Sequence, residues 1–346
     1  MAPIAMNSLP GKPELSDSRR LTGANLFWDF PSAIIDVQLS GDTSTLIDAW
    51  DQAARKLLHA LGMPQAQLCH RNYEGGCSLL IGAPVDVLYS MCEVNEAAFA
   101  LALADLGFES APDFADTVDS LNKLFADEAN PALLALQETA REKDVPFLWD
   151  DDHVSVGYGK TALVWEPDQL PHPDDIDWPA IGSIPVALVT GTNGKSTTVR
   201  MAAAMIAAGG KRAGLTSTDW IRIGETILDT GDYSGTGGAR TLMRHPETEV
   251  AVLETARGGL LRRGLGVERV AAALVTNVAA DHLGEYGIDT VADLIEAKFI
   301  VRRALDENAP LILNADDDGV VQFARGLDCK IHWFSLDPEN RVIRDH

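Results

Sequence analysis

The sequence predicts an α/β fold: a mostly parallel sheet between helices in residues 186–346, preceded by a smaller α+β domain over residues 25–166. Three observations predict it. After Pro185, short continuous apolar runs alternate with helical patterns, as strands buried on both faces of a parallel sheet require. "VTGTNGKSTTVRMAAAM" (Val189 to Met205) runs from an apolar strand through a glycine-rich turn into helix formers. "PDQLPHPDDIDWPAIGSIP" (167–185) is rich in proline and aspartate and lacks a helical period, which marks a linker between two domains.

The whole-chain properties agree. A length of 346 residues suggests two domains, and 46% apolar with 23% charged residues is the composition of a globular protein. The formal charge of −23 argues against nucleic acid and anionic lipid as partners, although a local basic site could still hold a nucleotide. Cys69, Cys77, Cys92 and Cys329 form no CxxC pair, so neither a disulfide framework nor a zinc site is expected. There is no basic segment followed by an apolar core at the N-terminus and no run of about 18 apolar residues. The expectation is a reduced, cytoplasmic chain without a membrane span.

Taken in order, residues 1–24 are polar and contain Pro10 and Pro13, which reads as a mobile arm. Ser32 to Ser40 reads as a strand; Leu46 to Gly62 and Val87 to Gly107 read as helices, the second ended by its glycine. Helical patterns continue from Ala115 to Lys143, followed by the acidic Asp150, Asp151 and Asp152 and an extended piece, "HVSVGYGKTALVWE". In the second half the expected order is strand Val186 to Thr190, a helix from Ser196, strands Val250 to Leu253 and Ala271 to Thr276, a helix from Thr290 to Leu305, and strand Leu311 to Leu313.

The opening of that half carries chemistry. Gly191 and Gly194, around Thr192 and Asn193, let consecutive N–H groups turn inward toward an anion, and the helix N-terminus adds partial positive charge. Lys195 supplies a full charge for the outer phosphates of a nucleotide, and Ser196, followed by Thr197, a hydroxyl for Mg²⁺. Val189 stands where the general phosphate loop has glycine, which narrows the type of loop. In an open parallel sheet the ligand lies beyond the carboxyl ends of the strands. Those ends deliver Glu254, then Thr276 and Asn277, then Asn314, Asp316 and Asp317. Asp281 and His282 follow one of them, and His282 could ligate a metal or contact phosphate. Lys298 falls on the apolar stripe Val291, Leu294, Ile295, Val301 and Leu305, where a lysine needs a partner, a lost proton or a modification.

In order, "GTNGKST", "VLETARGGLLRRGLG", "VTNVAADHLGEYGI", the lysine of "EAK" and "LNADDD" resemble the central ATPase domain of the Mur ligase superfamily, and within it the Mur-like half of cyanophycin synthetase. The resemblance covers residues 184–340; the N-terminal part is similar only weakly. It implies an ATP-dependent carboxylate–amine ligase with ATP and Mg²⁺ as cofactors and amino acids or peptides as substrates. Lys195, Glu254, His282 and Lys298 would be catalytic. Gly191, Thr192, Asn193, Gly194, Ser196, Thr197 and Asn277 would hold nucleotide, with Asn314 at the adenine and Asp317 at the ribose. Ser196, Glu254 and His282 would bind metal, and Lys298 would be carbamylated to N6-carboxylysine. Arg240, Arg257, Arg262 and Arg263 would face a carboxylate-bearing substrate, and "DTGDYSGTGGAR" (Asp229 to Arg240) would border the acceptor site.

Two departures stand out. Cyanophycin synthetase would place an ATP-grasp domain where this chain has a short spacer. The chain also stops at His346, before the C-terminal domain of the family, so the expectation is a fragment, or a homo-oligomer or partner that supplies that domain. The alternatives are a nucleotide-binding regulatory or scaffold protein with a degenerate ligase domain, which predicts ATP binding without product, and a P-loop kinase or hydrolase, which leaves "DHLG" and "EAK" without a role.

Overall fold

A computed structural model describes residues 11–345. They divide into two compact units, one running through Thr22 and adding Phe30–Pro131 and Gly284–Asp289, the other comprising Gly23–Asp29, Ala132–Leu283 and the chain from Thr290.

The first unit begins with β1 (Glu14–Leu21), β2 (Ser32–Gln38), α1 (Ser44–Ala60), β3 (Leu68–Tyr73), β4 (Gly76–Gly82), α2 (Leu88–Asp105) and α3 (Phe114–Glu128). Its sheet is antiparallel, in the order β1-β2-β4-β3. The expected mobile arm is therefore corrected: its first ten residues lie outside the described residues, but Glu14–Leu21 pairs with β2 along its length. Polar composition hid this strand because β1 lies at the sheet edge, where its first half is exposed and only its end is buried.

α1 buries Leu46, Ile47, Trp50, Ala53, Ala54, Leu57 and Leu58, the period of one helical face. Trp50 Nε1 donates to Asn95 Oδ1 at 2.8 Å, and Asn95 Nδ2 donates to Leu79 O at 2.9 Å, so this buried amide is satisfied. α2, with the turn before it, is the one described helix long and apolar enough to cross a membrane. Glu93, Asn95 and Glu96 interrupt its apolar run. In the fold it is a core helix: Met91, Val94, Ala98 and Ala102 are buried.

The second unit opens with α4 (Pro131–Glu142), whose first residue still groups with the first unit, and a small antiparallel sheet of β5 (Phe147–Trp149), β6 (Val154–Val156) and β7 (Leu163–Trp165). It continues with β8 (Val186–Thr190), α5 (Lys195–Ala208), β9 (Ala213–Thr216), β10 (Trp220–Ile223), β11 (Thr226–Thr230), α6 (Thr236–Arg244), β12 (Val250–Glu254), α7 (Arg257–Arg263) and β13 (Ala272–Val275). α8 (Val291–Lys298), β14 (Leu311–Asn314), α9 (Asp318–Ala324), β15 (Ile331–Phe334) and α10 (Arg341–Asp345) complete it. The helix expected to reach Leu305 instead tightens into a 3₁₀ turn over Phe299–Ala304.

The proline-rich stretch does not separate the units, since residues on both sides belong to the second. It is packed down: Trp178 is buried and donates to Pro173 O at 2.9 Å, and Tyr158 N–H donates to Gly182 O at 3.0 Å.

The large sheet runs β11-β10-β9-β12-β8-β13-β14-β15; β9, β12, β8, β13, β14 and β15 pair in parallel, and at one edge β10 pairs antiparallel with both β9 and β11. β12, β8, β13 and β14 are neighbours, so the groups at their carboxyl ends share one rim. α5 is seated beneath that rim by Val199 and Ala203, which pack with Val189, Ala213, Leu215 and Val252.

Candidate active site

The loop between β8 and α5 is built by backbone freedom at two positions. Gly191 has φ 145°, and a Cβ there would lie 1.9 Å from Thr276 Oγ1; Gly194, the N-cap of α5, has φ 84°. Lys195 folds back over the loop, donating to Gly191 O at 3.1 Å and Thr192 O at 3.0 Å. An ammonium has three protons, so one remains for an outer phosphate oxygen.

The strand beside the loop holds it in shape. Thr192 N–H donates to Asn277 O at 2.8 Å, Thr276 Oγ1 donates to Asn193 O at 2.6 Å, and Ala279 N–H donates to Thr192 Oγ1 at 3.0 Å. The Asn277 side chain spans the Asn193 residue, accepting its N–H at 3.0 Å and donating to its carbonyl at 3.1 Å. Thr276 was visible in the sequence only as a polar strand end; its role comes from β13 pairing directly with β8.

On the other flank, Glu254 ends β12 opposite Val189. It keeps 2% of its surface exposed, and neither carboxylate oxygen accepts a hydrogen bond of good geometry. Burial pushes its carboxyl above the usual range, with the nearby Ser196 hydroxyl and Lys195 ammonium pulling the other way. A buried carboxylate left in this condition is costly unless a cation completes it. Among the described residues no group of three His, Cys, Asp or Glu side chains forms a ready-made metal cage. The donor set fits Mg²⁺, which keeps several waters and takes few protein ligands beside phosphate oxygens. A small cleft beside Glu254 is lined by Ser234, Thr236, Thr255, Gly259 and Leu260, which brings the "SGTGG" segment to this rim.

Lys298, at the end of α8, is 4% exposed and pairs with no carboxylate among the described residues. Burial lowers its pKa to about 8, helped by the cations Lys195 and Arg257 and opposed by Asp281. Arg257 donates to the His282 carbonyl at 2.7 Å, which ties the start of α7 to the loop carrying Asp281 and His282. The His282 ring is exposed, 3.6 Å from Asp281.

Other expected residues have structural work. Asn314 Nδ2 donates to Thr276 O at 2.9 Å. Asp317 uses both oxygens, one accepting Val278 N–H at 2.7 Å and the other Val320 N–H at 3.1 Å as the cap of α9. Arg240 is buried with its guanidinium 5.6 Å from the Trp149 ring centre, and its pKa is pushed down to about 10 by burial. Arg262 is exposed and Arg263 half-buried. Thr197 is exposed on the first turn of α5.

The model of the Mur ligase middle domain matches residues 189–346. Cyanophycin synthetase of Synechocystis sp. is 45% identical over 163 residues, which are 47% of this chain and 19% of that protein. The cyanophycin synthetase of Trichormus variabilis is 43% identical over 165 residues, 48% of this chain and 18% of that one. UDP-N-acetylmuramoylalanine–D-glutamate ligase of Acidobacterium capsulatum is 30% identical over 156 residues, 45% of this chain and 29% of the ligase. The chain thus matches about a fifth of the length of the two cyanophycin synthetases. The loop, its clamp and the buried carboxylate all lie inside the segment that matches the Mur ligase middle domain, residues 189–346.

Proposed function

We propose that the protein is an ATP-dependent carboxylate–amine ligase that works through an acyl phosphate. A substrate carboxylate attacks the γ-phosphorus of ATP, ADP departs, and an amine then attacks the acyl carbon and expels phosphate. The observation that carries the reading is the orphaned, buried Glu254 carboxylate at the strand end beside the loop that carries Lys195. Lys195 and the unpaired N–H groups of the first turn of α5 would balance charge on the transferring phosphoryl group, and Asn277 holds the loop in shape through Asn193. Glu254 and Ser196 would hold Mg²⁺, which when bound neutralises phosphate charge. His282 is assigned to a second metal position.

Lys298 is assigned as N6-carboxylysine. Its lowered pKa makes the neutral amine accessible near pH 8, and Lys195 and Arg257 would stabilise the negative carbamate. Arg257, Arg262 and Arg263 are assigned to an acidic substrate, in keeping with ligases named for joining D-glutamate. The four free cysteines are consistent with a cytoplasmic setting.

The test is Lys195→Ala, assayed for acceptor-dependent ADP release across an amino-acid panel. The expected loss is on the order of 100- to 1000-fold. ADP release at the parent rate would refute the reading.

A further inference from the structure

The segment Gly284–Asp289 follows Asp281 and His282 in sequence and precedes α8, which carries Lys298, yet by packing it belongs to the first unit. Its backbone is unusual: Gly284, Tyr286 and Gly287 have positive φ, at 89°, 55° and 67°, as does the preceding His282 at 50°. One local turn, Ile288 N–H to Glu285 O and Gly284 N–H to Ile288 O, is its own scaffold. Further restraint comes from the β3–β4 hairpin and β1.

Arg71 of β3 donates to Gly287 O at 2.6 Å, and Glu74 N–H in the hairpin turn donates to Asp289 Oδ2 at 2.7 Å. Gly287 lies so close to the Tyr73 ring that a Cβ would meet it at 2.5 Å. Arg19 sits 4.8 Å from the Tyr286 ring centre and is itself fixed by Asp17 at 2.7 Å and Asp36 at 2.5 Å. Ile288 is fully buried. The charge-bearing members of this grip are Arg19, Arg71, Asp17, Asp36 and Asp289, and none of them is among the residues assigned to phosphate or metal.

We propose that the four-stranded sheet serves the ligase site as a positioning element, holding residues 284–289 through Arg19, Arg71, Tyr73 and the Glu74 amide. By chain continuity the hold fixes where the Asp281–His282 loop ends and where α8 begins, at the Thr290–Asp293 capping box. Arg71 and Asp289 are therefore positioning residues: they act on metal and phosphate through the loop they anchor. The inference rests on the ligase reading of the site.

Arg71→Ala and, separately, Asp289→Ala test it in the full chain, using hydrogen exchange and binding of the ATP analogue AMPPNP with and without Mg²⁺. Each variant should raise exchange about tenfold in residues 278–298, with exchange in α5 at the parent level. The magnesium-dependent part of AMPPNP affinity should fall about tenfold while metal-free binding holds, and Arg71→Lys should recover part of it. Parent-level exchange in 278–298 in both variants, or an equal rise in α5, would overturn the proposal. So would a looser segment with unaltered magnesium dependence. Normal turnover in Lys195→Ala sinks the ligase reading but leaves the exchange result standing, so the two failures are distinguishable.

Discussion

The carboxamide of Asn277 grips Asn193 from both sides, its oxygen accepting the N–H at 3.0 Å and its nitrogen donating to the carbonyl at 3.1 Å. A carboxamide can accept with its oxygen while it donates with its nitrogen; a carboxylate only accepts. Asn277→Asp therefore keeps size and loses one bond, while adding negative charge where phosphate would lie. Calorimetry should show MgATP binding weakened by about 1–3 kcal/mol, the cost of leaving such a group unpaired. Unaltered affinity would mean that the loop holds its shape without the clamp.

Glu254 pairs with the metal question directly. Its carboxyl is raised by burial, so the folded pKa lies above the unfolded value. The cost of that charge is absent below the unfolded pKa and grows as pH rises through the folded one. Glu254→Gln removes it, so without nucleotide the variant should melt higher than the parent at pH 7. With MgADP present the order should reverse, because the glutamine gives the cation no charge. A parent that remains less stable than the variant in saturating MgADP would exclude Glu254 as a ligand.

What the sequence disclosed was governed by distance along the chain. The loop from Gly191 to Ser196 was legible because its chemistry, a strand, glycines and a helix start, is contiguous. Glu254 and Asn277 were legible as strand ends, and the order β12-β8-β13 brings them to either side of the loop. β9, β10, β11 and β15 were not read as strands; three of them are four residues long, and β11 is mostly exposed. The surroundings of Arg240 were hidden for a different reason. A charged residue ending a glycine-rich segment looks like a substrate contact, and only tertiary packing reveals its burial beside Trp149.

Lys298 gives a pH prediction whose sign follows from burial. Its folded pKa, about 8, lies below the ordinary lysine value of 10.5, so the unfolded chain binds more protons between those values. Stability gained from this group therefore rises as pH climbs from about 8 toward 10.5, and is lost as pH falls through the folded pKa. Lys298→Met should raise stability at pH 7 by up to about 3 kcal/mol in carbonate-free buffer and flatten that rise. The same variant should lose ligase turnover, and ¹³C-bicarbonate should give a carbamate signal in the parent alone. A pH–stability curve unchanged by the substitution would contradict the buried, uncarbamylated amine.

Asp317 separates two roles that the sequence could not. As a ribose contact it would read the nucleotide; in the fold its oxygens accept Val278 N–H at 2.7 Å and Val320 N–H at 3.1 Å. It thus joins the start of α9 to the strand end that carries Asn277, two groups that must keep their spacing for the clamp on Asn193 to close. Asp317→Ala removes a helix cap worth about 1 kcal/mol and frees the Val278 amide, so the melting temperature should fall. If the residue acts as a tie, ATP and 2′-deoxy-ATP weaken by the same factor, because the defect lies in the loop and not at the sugar. If it reads the ribose, ATP weakens while 2′-deoxy-ATP, already lacking the hydroxyl, does not. With both carboxylate oxygens engaged by backbone amides, equal weakening is the expected outcome.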